Sequence, residues 1–188
     1  MIELMKIIRQ STETAIMNSN NYSNYKMKSS EFIKCLHTNF EEYYKNNTDI
    51  VIFSKEKPND EFSRNEYLFD ILVAEKGYTF SKVHKKKIPY IKKALIELES
   101  EFEQNVKASI IDFSKLICGH ADYKIMILPF TNNHNNYLDP LAEIAVNDVD
   151  KNIAAVFIDH PSNWQKNDDL RFKTFKFNNN RFEALNIG

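Results

Sequence analysis

The chain has 188 residues and a mass of 22.1 kDa, the size of one ordinary domain. Hydrophobic residues make up 43% and aromatics 13%, which is enough for a core and excludes disorder of the whole chain. A net charge of -1 excludes a global basic field for nucleic acid. Having only 3 glycines (Gly77, Gly119, Gly188) excludes Gly-rich phosphate loops.

The two cysteines, Cys35 and Cys118, are too few for a zinc site or a disulfide framework. The start MIELMKIIRQSTETAIM has no long apolar stretch before a small-residue cleavage site. No run approaches the roughly 18 apolar residues of a membrane span. The expected compartment is therefore a reducing cytoplasm.

Apolar residues at spacings of three and four predict a first helix through Ile2, Met5, Ile8 and Ile16. The polar run 18–25 breaks it. A second helix is predicted from Ser29 or Ser30 to Tyr44, with Phe32, Ile33, Leu36 and Phe40 on its apolar stripe. Strands are then expected at 49–54 and 66–75, separated by a charged loop at 55–64. A basic connection at 82–93, with Pro89, leads to a strand at 94–103.

A helix is predicted from Val106 to Cys118, with Gly119 as its C′ residue. The apolar runs 123–130 and 153–159 read as buried strands. A helix at 139–148 lies between them. FKTFKF at 172–177 alternates like an edge strand or part of a terminal hairpin. The order predicts a single domain of mixed α+β type: a central mixed sheet flanked by helices, preceded by a helical segment at 1–45.

The candidate chemistry lies on 94–103. Glu97, Glu99 and Glu101 alternate onto one strand face, where like charges repel unless solvent or a cation compensates. Hard cations such as magnesium take carboxylate oxygens, waters and substrate phosphates. Asp70 sits inside the apolar run Tyr67 to Val73 and would stand beside Glu99 and Glu101 if the two strands pair. An alternating Glu strand also describes a solvated face, and Asp70 also suits a bulge or turn.

Asp70, then LESEF at 98–102, DFSKL at 112–116 and KIMIL at 124–128 together resemble the PD-(D/E)XK superfamily, the restriction endonuclease-like fold. The likeness covers about residues 66–130 and is nearest to members whose motif strand ends in Glu-x-Glu. It implies a mixed sheet flanked by helices and metal-dependent cleavage of a phosphodiester. Asp70 would match the motif aspartate and Glu99 the second metal ligand. Glu101 stands where the superfamily usually has lysine, and Phe69 where it has proline. Lys115, on the following helix, could supply the missing cation, although a solvated helix lysine is the plainer account. The same holds for Lys124.

Lys85, Lys86 and Lys87 head the strongest basic patch, between the two candidate strands, where a nucleic acid backbone would approach. A solvated hairpin loop explains them equally well. Glu31 and Glu42 are left outside the core site, as solvated helix residues. No histidine pair has zincin spacing. Trp164, in a polar loop, could stack a base, but a surface anchor is the commoner role.

The expectation is a metal-dependent nuclease-like protein with Asp70, Glu99 and Glu101 as ligands and Lys115 assisting. Its ion would be magnesium, with manganese as a substitute. DNA is favoured over RNA as substrate, and symmetric cutting of two strands favours a homodimer. The alternative is a catalytically inactive binding, immunity or regulatory protein on the same fold, acting through a protein partner.

Overall fold

The computed structural model describes all residues except 65, 149–151, 166–168 and 188. Among the described residues, four α-helices and seven strands form a three-layer arrangement. The helices are α1 (Ile2–Asn18), α2 (Tyr25–Tyr44), α3 (Val106–Cys118) and α4 (Asn135–Ala145). The strands are β1 (Ile50–Phe53), β2 (Ile71–Ser81), β3 (Lys86–Ser100), β4 (Tyr123–Pro129), β5 (Ile153–Ile158), β6 (Phe172–Asn178) and β7 (Arg181–Ala184).

All seven strands form one sheet in sequential order. β1, β2 and β3 are antiparallel, β3, β4 and β5 are parallel, and β5, β6 and β7 are antiparallel again. Each parallel step is made through one helix, α3 and then α4, which supplies the crossover length that parallel strands need. The expected mixed sheet flanked by helices is therefore present.

Burial on both faces explains the continuous apolar reading of β4 and β5. Ala154, Val156 and Ile158 join a core with α1 and α2, including Ile8, Phe32 and Leu36. Ile153, Ala155 and Phe157 face the other way, against Phe113 and Leu116 of α3 and Leu138 and Leu141 of α4. Each of the larger side chains, valine, leucine, isoleucine or phenylalanine, contributes about 1.5–3 kcal/mol when fully buried. No helix among the described residues is long and apolar enough to cross a membrane.

Several boundaries differ from expectation. α2 starts at Tyr25 because Asn24 caps it, its side chain accepting from the Met27 amide at 3.0 Å. α4 starts at Asn135, four residues early, and carries Pro140 inside. The expected strand 66–75 is shifted: Leu68 takes φ 66, a tight turn joins Tyr67 to Phe69, and the strand proper begins at Ile71.

The larger change is at 82–93. Instead of a loop, β2 and β3 continue as a long hairpin, paired from Ile71 opposite Leu98 to Ser81 opposite Lys86. Pro89 is tolerated because this part of β3 has β2 on one side only; β4 joins it from Ile96 onward. Gly77 admits the Tyr90 ring, which would lie 2.7 Å from any Cβ added there.

Candidate functional site at the end of β3

The ladder between β2 and β3 ends with Ile71 opposite Leu98, so Asp70 lies one step further, alongside Glu99. Asp70 thus precedes the strand instead of sitting mid-strand. Its Oδ2 accepts from the Ser100 amide at 3.0 Å and the Ser100 hydroxyl at 2.6 Å. Lys55 Nζ stands 3.8 Å from its Oδ1. Ser100, between the two glutamates of the motif, is a site residue that the carboxylate pattern alone did not reveal.

Glu99 faces α3 and is only 4% exposed. Burial first, and then the neighbouring Asp70 carboxylate, push its pKa up to about 8. Lys115 Nζ lies 3.5 Å from Glu99 Oε1, too far for a good hydrogen bond, and that oxygen is buried without a hydrogen-bond partner. Lys115 does project from α3 to the strand, as the missing-cation reading requires. Its closer partner is Asp112 Oδ1 at 2.6 Å. Burial works against the charge on Lys115, but Asp112 and Glu99 together raise its pKa.

Glu101 falls just beyond β3, although its amide still donates to Ile127 O of β4 at 3.0 Å. Burial raises its pKa, and Asp112 opposes its charge further. Its Oε1 accepts from the Glu103 amide at 2.6 Å. Asp112 therefore belongs to the cluster; its place one turn before Lys115 in DFSKL is the signal that could have found it.

The carboxylates are electrostatic neighbours without forming a cage. Among the described residues no three His, Cys, Asp or Glu side chains are gathered to hold a metal ion. Asp70 turns to Ser100 and Glu101 to Glu103. The donors nevertheless fit a hard cation in kind: they are all oxygens, and one is a buried carboxylate oxygen without a hydrogen bond. Asp70 and Glu101 would have to leave their present partners to join Glu99 on an ion.

Glu97 has a different task, and it is not on a solvated face. It is 3% exposed and reaches the end of α3, where the His120 amide donates to its Oε1 at 3.3 Å. Burial raises its pKa. A Cβ at Gly119 would stand 1.8 Å from Glu97 Oε2. Gly119 is therefore required by this close approach; its backbone is extended (φ -76, ψ 173) and not the left-handed C′ conformation expected. Gly119→Ala should cost about 1–3 kcal/mol by overpacking. In urea unfolding, that cost should shrink in a Glu97→Ala background; additive losses would sink the account.

The pKa of Glu99 carries a second prediction. In the folded state Glu99 holds its proton to about pH 8, whereas an unfolded glutamate, with an ordinary value of 4.5, has already lost it. Unfolding then releases a proton, so Glu99 lowers stability progressively as pH rises from 4.5 toward 8. Glu99→Gln should flatten the fall in stability between pH 5 and about 8 in urea melts. An unchanged slope would count against a protonated Glu99.

Other candidates lie elsewhere. Lys85, Lys86 and Lys87 are at the far tip of the β2–β3 hairpin, ten residues along β2 from the Asp70 end. At about 3.3 Å per residue that is on the order of 30 Å, so they do not line the acidic cluster. Lys124 is not solvated: it is 1% exposed and paired with Asp148 at 2.7 Å. Trp164 is buried against Phe32 and Phe102 and donates to Asp159 O at 2.7 Å, which removes it from base stacking. The rest of its loop, at 166–168, lies outside the described residues. Glu31 is also buried, held by Asn18 at 2.8 Å and Tyr22 at 2.7 Å, whereas Glu42 is a surface partner of Lys45.

Two grooves flank the cluster. One, of about 1000 Å³, runs between α3 and the base of the hairpin and is lined by Phe69, Ile91, Lys93, Ile111, Lys115 and His120 among others. The other, of about 390 Å³, carries Lys26, Ser29, Lys55, Ser100 and Glu101. Fold and site together define a mixed-sheet α/β protein with an acidic cluster at the carboxyl end of β3. Set against family models, curated proteins and solved structures, the chain matches none of them.

Proposed function

We propose that the chain is a metal-dependent nuclease-like hydrolase of phosphodiester bonds, acting on DNA in preference to RNA. The observation that carries this reading is Glu99: a buried carboxyl group with an oxygen that has no hydrogen bond, beside Asp70 and 3.5 Å from the Lys115 ammonium. A carboxyl group whose pKa burial and a neighbouring carboxylate have raised is one that a bound cation would help to ionise. Asp70, Glu99 and Glu101 are the residues that would hold magnesium, or manganese in its place.

The bound ion would supply charge stabilisation at the phosphoryl oxygens and an activated water. The chain's own residues would do the rest. Glu101, with its raised pKa, is suited to take the proton of the attacking water. Lys115 would place a cation against the phosphoryl group, the task that lysine performs at the Glu101 position in the superfamily the chain resembles. Asp112 would position Lys115. Ser100 holds Asp70 before an ion arrives and would release it to the ion.

Cleavage assays with magnesium or manganese on plasmid DNA, linear duplex and RNA test the reading. A folded, metal-supplied protein that cuts none of these would overturn it in favour of a non-catalytic binding protein. The hydrogen bonds that already hold Asp70 and Glu101 in place are the observation that favours that second reading.

A further inference from the structure

The hairpin beyond the sheet is unlike the rest of the surface. From Lys76 to Leu95 the sequence carries seven lysines and no aspartate or glutamate. At the base of the hairpin these charges are met from elsewhere: Lys76 by Glu61 at 2.6 Å, Lys92 by Glu75 at 3.4 Å, and Lys93 by Asp122 at 2.6 Å. At the tip they are not met. Among the described residues Lys82, Lys85, Lys86 and Lys87 make no ion pair or side-chain hydrogen bond.

Past Lys76 and Ile91 neither strand has another neighbour in the sheet. The ribbon therefore runs about 20 Å beyond the other strands of the sheet, counting some six residues at about 3.3 Å each. The 59–64 loop lies beside it: Tyr78 donates to Glu61, and Glu61, Phe62 and Ser63 share a groove with His84, Lys86 and Lys87. Phe80 stands opposite Lys87 in the register, so the two share a face, and Phe80 is 62% exposed. Val83, in the turn, is 86% exposed. Two apolar residues left in water amid unpaired lysines suit a surface that is covered when a polyanion arrives.

Geometry selects the polyanion. The tip is on the order of 30 Å from Asp70, close to the 34–36 Å of one turn of B-form duplex. A two-stranded ribbon also fits the major groove. Between tip and cluster lies the groove of about 1000 Å³ whose lining includes Lys92, Lys93 and Lys115. We infer that the β2–β3 ribbon is a second anchor for duplex DNA, gripping it about one helical turn from the bond presented to the acidic cluster. Resting on the nuclease reading, this specifies its substrate: duplex DNA of at least about ten base pairs.

The test uses the whole chain in EDTA, so that binding is read without cleavage. Fluorescence anisotropy is measured with 8- and 20-base-pair duplexes at several salt concentrations. One variant combines Lys82→Gln, Lys85→Asn, Lys86→Gln and Lys87→Gln; asparagine suits the φ of 51 at Lys85. A second variant is Phe80→Ser. Both change exposed residues, and circular dichroism checks the fold.

The wild type should bind the longer duplex at least about tenfold more tightly. The lysine variant should lose that advantage, with its salt slope reduced by up to about 3.6, some 0.9 for each of the four lysines, and affinity for the short duplex within about twofold. Phe80→Ser should weaken only the longer duplex. Equal losses on both lengths, or unchanged affinity for the longer one, would overturn the proposal. So would a loss of binding to phosphatidylglycerol vesicles with duplex binding intact, which would make the tip a membrane contact.

Hydrolysis of bis(p-nitrophenyl) phosphate, too small to reach the tip, separates this inference from the catalytic reading. Hydrolysis with unchanged duplex binding in the lysine variant sinks the anchor alone. No hydrolysis by the wild type, with length-dependent duplex binding that the lysine variant loses, sinks the nuclease and upholds the anchor.

Discussion

Asp70→Ala and Glu99→Ala should each lower magnesium-dependent DNA cleavage by at least about a hundredfold, the scale expected when a bound cation loses a ligand. The loss should appear in kcat and not in duplex affinity, because Asp70 and Glu99 stand at the base of the β2–β3 hairpin, about ten residues from the tip that we infer to grip the DNA. Glu99→Ala should be the more damaging for metal binding, since it deletes the buried oxygen that has no hydrogen bond of its own. Asp70→Ala should also free Ser100 and Lys55, its present partners. Glu101→Lys is the sharper variant. It places lysine at the last position of the Glu-x-Glu motif, so a nuclease site of the proposed kind should keep part of its activity, while Glu101→Ala should be crippled. Cleavage that persists in Asp70→Ala and Glu99→Ala would remove both residues from the reaction.

The largest effect on stability should come from Lys124. It is one of the most completely buried side chains of the protein, and its ammonium meets Asp148 at 2.7 Å. Asp148 has a second carboxylate oxygen without a hydrogen-bond partner, and Glu97 also draws on the charge of Lys124. Lys124→Ala strands a buried carboxylate and leaves a cavity, and should cost about 3–5 kcal/mol in urea unfolding. Lys124→Met combined with Asp148→Leu should cost far less, because it removes both charges together. Equal losses in the two variants would mean that the ion pair itself is net stabilising, and not that the cost comes from a stranded carboxylate and a cavity.

Local pattern was sufficient for much of the architecture. The helical stripe of α3, with a polar Asn105 before it and Gly119 after it, specified Val106–Cys118 without tertiary help. The apolar runs of β4 and β5 had no other use than strands buried on both faces. Once β3, α3 and β4 follow in that order, a parallel crossover puts Glu99 under α3, within reach of Lys115. The acidic cluster was therefore legible as a group of residues.

What the sequence could not determine depends on partners distant in the chain. Lys82 to Lys93 looked like a loop because hydrophilic side chains and a proline are poor strand signals. Only pairing with β2, on a stretch of β3 that β4 does not flank, makes them a ribbon. That same pairing carries Lys85, Lys86 and Lys87 away from the carboxylates they adjoin in sequence. Lys124, Glu97 and Trp164 have polar character or polar surroundings, yet all three are buried. Their burial is stabilised by Asp148, the amide of His120 and the carbonyl of Asp159, contacts that exist only after the layers pack. Charge and hydrophobic period specify which face a residue prefers, but whether a polar group on that face meets water or a partner is decided by tertiary packing.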